Sequence, residues 1–503
     1  MDRRRTELTR QPPPPAGGAQ ETCNGAAGAA HVPPPPADQA AWPLWRLVLG
    51  LAWPVLLQQF LVLTVGLSDR LLAGRFQPGD PADHVAYQAA QTTAAYLSWV
   101  ISSFAVLATV GSTALVARFV GAGDRAAAVR AANQSILLAA ALGLLGTAVG
   151  LAGTDPLLAL LQLHGKAAVF AADYLRPLFL ALTAYVVLAA GNACLVGAGD
   201  TRTGLCVLGG VALLNVPLAW GFFHGVGPLP GQGFAGIAVG TATANVLGAL
   251  AVLTVLARGR AGLRLRLPLL RPDWPLLWRL LRVSVPAGID SLSVAACQLW
   301  FLSIVNHLPY AESSAHGIAL GWEAMSYLSG YAFGMAAMAL VGQFLGAGRP
   351  RQAARAGWTA FGMGCAVMCL MGAVFYALAP QMFGLFCPDP EQRPVIAAGV
   401  PVLRLVALAM PALACSIVFT PALRGAGDTR VPVLFTWTGF LGVRIPLAYF
   451  LTLAEVPLGP LGTWPGLGWG LQGAWTAMVA DVIVRGLFFL YRFASGRWQR
   501  IEV

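Results

Sequence analysis

The chain has 503 residues, of which 57% are hydrophobic and 11% charged, against about 25% charged in ordinary soluble domains. So few charges exclude a water-soluble globule and leave an integral membrane protein as the expected class. The net charge is +11, and 31 of the 32 basic residues are arginines set between apolar runs; that fits orientation in a bilayer rather than a stripe for nucleic acid.

Residues 1–40 hold two four-proline runs with much Ala, Gly and Gln. They have too little apolar surface to fold and read as a disordered tail, not as a secretory leader. From Ala41 the chain turns apolar. A helix needs about 20 apolar residues to cross a bilayer. Cutting at Gly, Pro and charge clusters predicts twelve spans near 47–74, 86–117, 129–153, 172–196, 203–224, 234–257, 276–306, 314–344, 354–378, 396–422, 432–453 and 471–493. The expected fold is therefore all-α and integral to the membrane. Its expected parts are an N-lobe (41–257), a cytoplasmic linker (258–275) with five arginines, a C-lobe (276–493) and a C-terminal tail (494–503).

The halves repeat. Leu195-Val196-Gly197-Ala198-Gly199-Asp200-Thr201-Arg202 returns 228 residues later as Leu423-Arg424-Gly425-Ala426-Gly427-Asp428-Thr429-Arg430. Gly-Ala-Gly also stands at 121–123 and 346–348, Pro54 answers Pro286, and Val216-Pro217-Leu218-Ala219 answers Ile445-Pro446-Leu447-Ala448. Glycine takes left-handed backbone without strain, and an Asp before a new helix accepts from its free N–H groups. Gly199, Asp200, Gly427 and Asp428 therefore read as structural helix–turn–helix corners. Six spans per half is an even number, so both halves enter from one side, as in transporters built from parallel repeats with the substrate site between them. If both termini are cytoplasmic, 24 basic residues fall on that face and three (Arg75, Lys166, Arg393) on the other, the asymmetry of a plasma (inner) membrane protein.

Further motifs carry a family resemblance. They are Pro-x-x-x-Gln-Gln through Gly66-Leu67-Ser68-Asp69; Leu-Val-Ala-Arg-Phe-Val-Gly-Ala-Gly-Asp at 115–124; Gly-Ala-Gly-Asp-Thr-Arg at 197–202 followed by Asn215; His316-Gly317-Ile318-Ala319 through Glu323; Gly-Gln-Phe-Leu-Gly-Ala-Gly at 342–348; and Leu-Arg-Gly-Ala-Gly-Asp-Thr-Arg at 423–430. With these the chain resembles the multidrug and toxic compound extrusion (MATE) transporters over nearly everything after the tail. The resemblance implies two six-helix lobes, a central cavity, alternating access, and export of organic compounds against protons or sodium. It also makes Asp69 the first-helix aspartate of that family. The chain departs from the pattern at Val294 and Leu413, where many members carry acids.

Ionisable residues inside a membrane are costly and are functional candidates by default. Asp69, Glu323 and Asp290 are the ion-coupling candidates. Glu323 reads equally as a structural partner for an intramembrane arginine such as Arg404, and Asp290 as a polar packing residue. Asp481 and Arg485, at i and i+4, read as an ion pair. Gln58, Gln59, Asn192, Asn215 and Tyr327 are candidates for the substrate cavity, with interhelical hydrogen bonding as the plainer reading for the amides. Tyr87, Trp99, Trp300, Trp322 and Tyr331 offer aromatic faces to flat cations. The scattered cysteines, with Cys365 and Cys369 one turn apart, read as small buried residues. No phosphate loop, triad or metal-ligand spacing appears, so neither enzyme chemistry, cofactor, metal nor nucleic-acid partner is expected. The expected function is a monomeric secondary antiporter exporting organic, cationic compounds. The alternative is a flippase for a lipid-linked saccharide in the same architecture. A receptor or scaffold is disfavoured by the duplicated halves.

Overall fold

The computed structural model describes residues 43–75, 83–160, 164–226, 229–457 and 462–501. The Pro-rich segment 1–40 lies outside the described residues, as do the side chains of Tyr87 and Trp99. The first half runs α1 (Leu44–Arg75), α2 (Asp83–Gly121), α3 (Arg125–Leu160), α4 (Gly165–Leu180), α5 (Leu182–Gly197), α6 (Thr201–His224) and α7 (Phe234–Ala257). The second repeats that order with α8 (Trp274–Val305), α9 (Tyr310–Gly346), α10 (Pro350–Gly384), α11 (Arg393–Leu408), α12 (Met410–Gly425), α13 (Arg430–Gly439), α14 (Ile445–Thr452) and α15 (Gly470–Ala494). Each half carries a short antiparallel hairpin before its last helix: β1 (Gly225–Val226) with β2 (Leu229–Pro230), and β3 (Glu455–Pro457) with β4 (Thr463–Pro465).

The spans divide as ten continuous helices and two bent pairs among the described residues. This corrects the fourth and tenth expected spans, which are not straight. Helices α4 and α5 meet at 49°, and the second-half pair ending in α12 meets at 58°. The break residues are Ala181 (φ −86°, ψ 0°) and Ala409 (φ −87°, ψ 0°), at the same 228-residue offset as the corners. Both breaks rest on a glycine of the preceding long helix. A Cβ at Gly143 would meet Thr183 at 2.6 Å, and one at Gly372 would meet Met410 at 2.8 Å. In the second half Pro411, the second residue of α12, cannot donate to the carbonyl one turn back, which interrupts the ladder there. Composition along the chain shows twelve apolar runs either way; it does not show where a run bends.

The corners form as the glycines require. Gly199 and Gly427 both sit at φ +87°, and the N–H groups of Asp200 and Asp428 close back onto the carbonyls of Leu195 and Leu423, each at 2.9 Å. These are the left-handed helix stops that only glycine adopts freely. The aspartates then differ. Asp200 Oδ1 accepts from the N–H of Thr203 at 3.0 Å and caps α6. Asp428 does not cap: its Oδ2 accepts from Arg492 Nε at 2.8 Å, and α13 has no side-chain cap. The expectation of two capping aspartates holds for one. Asp200 also pairs with Arg260, at 3.0 Å through Oδ2, and caps through Oδ1 at the same time, so an ion pair alone does not account for the difference.

The linker and the stretch after the last span are both fastened to the helices. The stretch after α7 is held to α3 by Asn133, which donates to Arg264 O and accepts from Arg266 N, and by Gln134, which donates to Leu269 O and Arg271 O. After α15 a 3₁₀ turn (Arg497–Arg500) buries Trp498 completely, its ring stacked on Phe493 at 4.8 Å. Phe493 in turn stacks on Phe419 at 4.5 Å.

Candidate functional site

The helices α2 and α8 run against each other across the middle of the protein, and α2 also packs on α9. Small residues allow the approach: a Cβ at Gly111 would meet Leu280 O at 2.5 Å, and the Gly111 N–H donates to Ser284 Oγ at 2.8 Å. At the arginine-rich ends of α2 and α9 the contact becomes reciprocal. Gly121 abuts the backbone of Gln343, and Gly346 abuts the backbone of Arg118. Arg118 and Gln343 stand at the same place in the two halves, three residues before these glycines. Each reaches the corner of the opposite half. Arg118 donates to Ala426 O at 3.1 Å and to Ile501 O at 2.8 Å; Gln343 Nε2 donates to Gly197 O at 2.9 Å. The arginine-rich side is therefore sealed by a matched pair of inter-half latches.

The membrane interior of the first half carries one candidate acid. Asp69 lies on α1, beside α6. Leu61 of α1 faces Gly209 of α6. Going toward the C-terminal ends of both helices at about 1.5 Å per residue, Asp69 is some 12 Å beyond that contact and Asn215 about 9 Å. They are thus at nearly one level. One turn on, Leu72 packs with Ala219, Phe234 and Ile237, with Tyr174 against them. Oδ1 of Asp69 is shut off from solvent and has no hydrogen-bond partner among the described residues. Asn215 donates to Thr241 Oγ1 at 3.0 Å, yet its Oδ1 is also buried without a partner, as is Oδ1 of Asn192 on α5. A buried acceptor without a donor carries its full desolvation cost. The Asp69 and Asn215 oxygens at nearly one level, one of them a carboxylate's, make an environment that gains when a proton or cation enters; Asn192 Oδ1 faces Gly204 instead, about 16 Å from Asn215 along α6. Gln58 and Gln59 lie half-buried on α1, below this level.

The second half is organised differently at matching positions. Asn215 is answered by Arg444, 229 residues on. Arg444 ends a one-turn π-helix, Phe440–Arg444, set between α13 and α14; such bulges recur at functional positions because they re-aim side chains. Its guanidinium meets Asp481 at 2.7 Å and Gln298 Oε1 at 3.0 Å and lies over the Phe440 ring at 4.3 Å. Arg485 reaches the same carboxylate at 2.7 Å. The expected Asp481–Arg485 pair is thus the outer part of a two-arginine network whose centre, Arg444, sequence spacing did not reveal. Asp290 is bound by Arg424 at 2.6 Å with both side chains largely buried. Glu323, on α9, stands within the electrostatic reach of Arg444 and Arg485. Arg404 is not its partner; it donates to Tyr376 O at 3.3 Å instead. Tyr327 is half-exposed, with Tyr331 stacked at 6.5 Å, and presents an aromatic face beside these charges. The structure therefore places Asp69 and Asn215 at one level of the first half, with Asn192 apart from them beside Gly204, and Glu323, Asp290 and Tyr327 in the second half.

The network in the second half is structural in its energetics. Removing the anion from two buried guanidinium groups leaves uncompensated charge, which costs about 3–5 kcal/mol. Asp481→Asn is therefore expected to lower folded yield and melting temperature sharply in detergent. Unchanged melting would show that Asp481 does not hold this half together.

Comparison with known proteins follows the same division. A family model described as MatE matches residues 54–220 and again 286–450, so the match itself is double and starts at Pro54 and Pro286. The probable multidrug resistance protein NorM of Thermotoga maritima is 28% identical over 408 residues, covering 80% of this chain and 84% of that one. The multidrug resistance protein PmpM of Pseudomonas aeruginosa is 28% identical over 434 residues, covering 85% and 88%. Among solved structures, a multidrug resistance MATE family transporter of the MOP superfamily in an outward-facing conformation superposes with a TM-score of 0.80 at 20% identity, covering 90% of this chain and 97% of that one. A MOP superfamily transporter from Pyrococcus furiosus, whose binding pocket is described as of reverse polarity, gives the same TM-score, identity and coverage.

Proposed function

The chain belongs to the MatE family, and from that premise we propose that it exports organic cations across the plasma membrane in exchange for protons, its two six-helix halves rocking to expose the cavity on alternate sides. The observation that carries the reading is the contrast between the halves. Asp69 has a buried oxygen without a partner and forms no salt bridge among the described residues, whereas Asp481 and Asp290 are each met by arginine, although Oδ1 of Asp290 is also left without a hydrogen bond. Protonation converts an acceptor-only carboxylate into a donor, and a cationic substrate competes for the same negative charge. Each intramembrane arginine noted above is already held by a carboxylate or a carbonyl, which favours a cationic over an anionic substrate. The relatives' names support multidrug export. The sealed arginine-rich side supports a state open to the opposite face.

The experiment is reconstitution in liposomes with a fluorescent organic cation and an imposed gradient. A proton gradient is expected to drive uptake into inverted vesicles and a sodium gradient is not; drive by sodium alone would replace the ion, and no drive by either would overturn the antiport reading.

The termini and linker are proposed to be cytoplasmic, on the arginine asymmetry. Single cysteines at Ala311 and Arg264, placed in a background without native cysteines, test this. Impermeant reagent added to whole cells is expected to label position 311 and spare 264. The reverse pattern would invert the topology.

A further inference from the structure

Helix α10 carries five sulfur side chains within nine residues, Met363, Cys365, Met368, Cys369 and Met371. Cys365 and Cys369 stand one turn apart, both half-buried, with their Sγ atoms 3.7 Å from each other. Some of their neighbours turn inward: Gly364 faces Phe333 of α9 and Val418 of α12, and the buried Met368 faces Gly330 of α9. Others turn outward: Ala366 and Leu370 are exposed. The pair therefore lies on the border between the packed and the open face of α10. More sulfur lies on the seam beside it, where Ser329 Oγ meets Met371 Sδ at 3.6 Å and Ser326 Oγ meets Met410 Sδ at 3.2 Å. Thiol and thioether sulfurs are soft, polarisable and favour soft partners. At about 1.5 Å per residue the pair begins about 22 Å into α10, near the middle of that 35-residue helix.

The spacing decides which chemistry the two thiols can do. Residues i and i+4 of a helix hold their Cβ atoms about 5–6 Å apart, and a disulfide needs about 3.5–4.5 Å. Direct oxidation of the pair to a disulfide therefore requires the turn to unwind. A single atom placed between the sulfurs requires no such change. With bonds to sulfur of about 2.3 Å, as at thiolate-bound zinc, such an atom spans the 3.7 Å gap at an angle of about 107°. A linear two-coordinate ion would need the sulfurs about 4.6 Å apart. The gap thus suits a pyramidal or tetrahedral centre.

We propose that Cys365 and Cys369 form a chelating site for trivalent arsenicals that carry one organic group. The arsenic of such a compound is pyramidal and thiophilic and has two hydroxyls to exchange. Each thiol adds its sulfur to arsenic, one As–O bond breaks, and the thiol proton leaves with the hydroxyl as water. Two As–S bonds form, two waters are released, and no oxidant or reductant is consumed. The compound is neutral, so it reaches a mid-membrane depth closed to charged thiol reagents. The proposal goes beyond the transport reading and does not depend on it, since the bridge is measured without substrate or gradient.

The test treats the full chain in nanodiscs with phenylarsine oxide, whose hydrate has the required form. Intact mass is expected to show one phenylarsenic bridge on the parental chain. Peptide mapping after alkylation in denaturant should find Cys365 and Cys369 protected together. The bridge should survive 2-mercaptoethanol and come off with ethanedithiol, because only another chelator competes with two sulfurs on one helix. Cys365→Ser and Cys369→Ser should each lower retention about 100-fold, the low end of what a second tethered contact adds. A parental melting temperature reports that they are folded. A variant with its six other cysteines changed to alanine should still take one bridge; if it does not fold, the map of the parental chain decides alone. Unprotected Cys365 and Cys369 on the treated parental chain, or parental retention by both serine variants, would overturn the proposal. So would a bridge from either one to Cys415 of α12.

Discussion

Asp69→Asn is expected to abolish gradient-driven export while leaving the protein folded. The amide keeps the shape of the carboxylate and removes both its charge and its titration. Because Asp69 Oδ1 has no partner among the described residues, no ion pair is broken, and the stability cost should be small. The functional cost should be large. Coupling between two ligands of one protein is a free energy shared by both sites, in the range of about 5–150-fold in affinity. With nothing to titrate, that coupling vanishes, so cation accumulation should fall to the level set by the membrane alone and substrate binding should lose its dependence on pH. Glu323→Gln and Asp290→Asn form the comparison. The first leaves the arginine network with Asp481 as its anion and should export nearly normally. The second strips Arg424 of its carboxylate, so its transport must be read per folded molecule, and it should be impaired mainly through yield. Export by Asp69→Asn at the parental rate, with Glu323→Gln inactive, would move coupling to the second half.

How much of this was legible in the sequence depends on the kind of feature. Apolar runs, the duplicated corners and the match of Val216-Pro217-Leu218-Ala219 to Ile445-Pro446-Leu447-Ala448 are local or periodic, and local signals survive without coordinates. Asp69 stood out for the same reason, as an acid within an apolar run. The breaks at Ala181 and Ala409 did not, because an alanine between two helices has no composition of its own, and the glycine packed close to each break lies on another helix. The Arg444 network was half legible. Arg485 follows Asp481 by one turn, but Arg444 arrives from a different span and through a π-turn that no spacing rule announces. Asp428 shows the opposite failure. Its local pattern copies Asp200, yet its carboxylate meets Arg492 of a distant span and α13 has no side-chain cap. The closing segment is a third case. A charged, short stretch after the last span reads as a tail, yet Trp498 finds an aromatic wall built from α12 and α15.

Gly121→Ala and Gly346→Ala are expected to give the second large effect, loss of export with the protein folded and its arginine-rich side held open. Each glycine meets backbone of the opposite half, so an added methyl has no flexible side chain to displace. Interiors are packed too closely to absorb such a group without a shift, and overpacking of this kind costs about 1–3 kcal/mol. That cost falls on the sealed state alone, because the two helices need not touch when the seam is open. The ratio of sealed to open molecules should therefore drop by about 5- to 150-fold. The latches should move with the backbone. Arg118 loses its hold on Ala426 and Ile501, and Gln343 its hold on Gly197, so the loss is cooperative and not confined to one contact. Gln343→Ala, which removes one neutral hydrogen bond worth about 1 kcal/mol, should shift the same ratio much less. The measurement is the labelling rate of a cysteine placed at Ala198 in a background without native cysteines, with reagent supplied to the arginine-rich side. Faster labelling in both glycine variants, to a similar degree, is the expected result, since the two contacts are counterparts in the repeated halves. Parental labelling and parental export in Gly121→Ala would show that this contact is incidental to the transport cycle. Faster labelling from Gly121→Ala but not from Gly346→Ala would show that the seam opens from one half only, and the rocking motion would then have to be asymmetric.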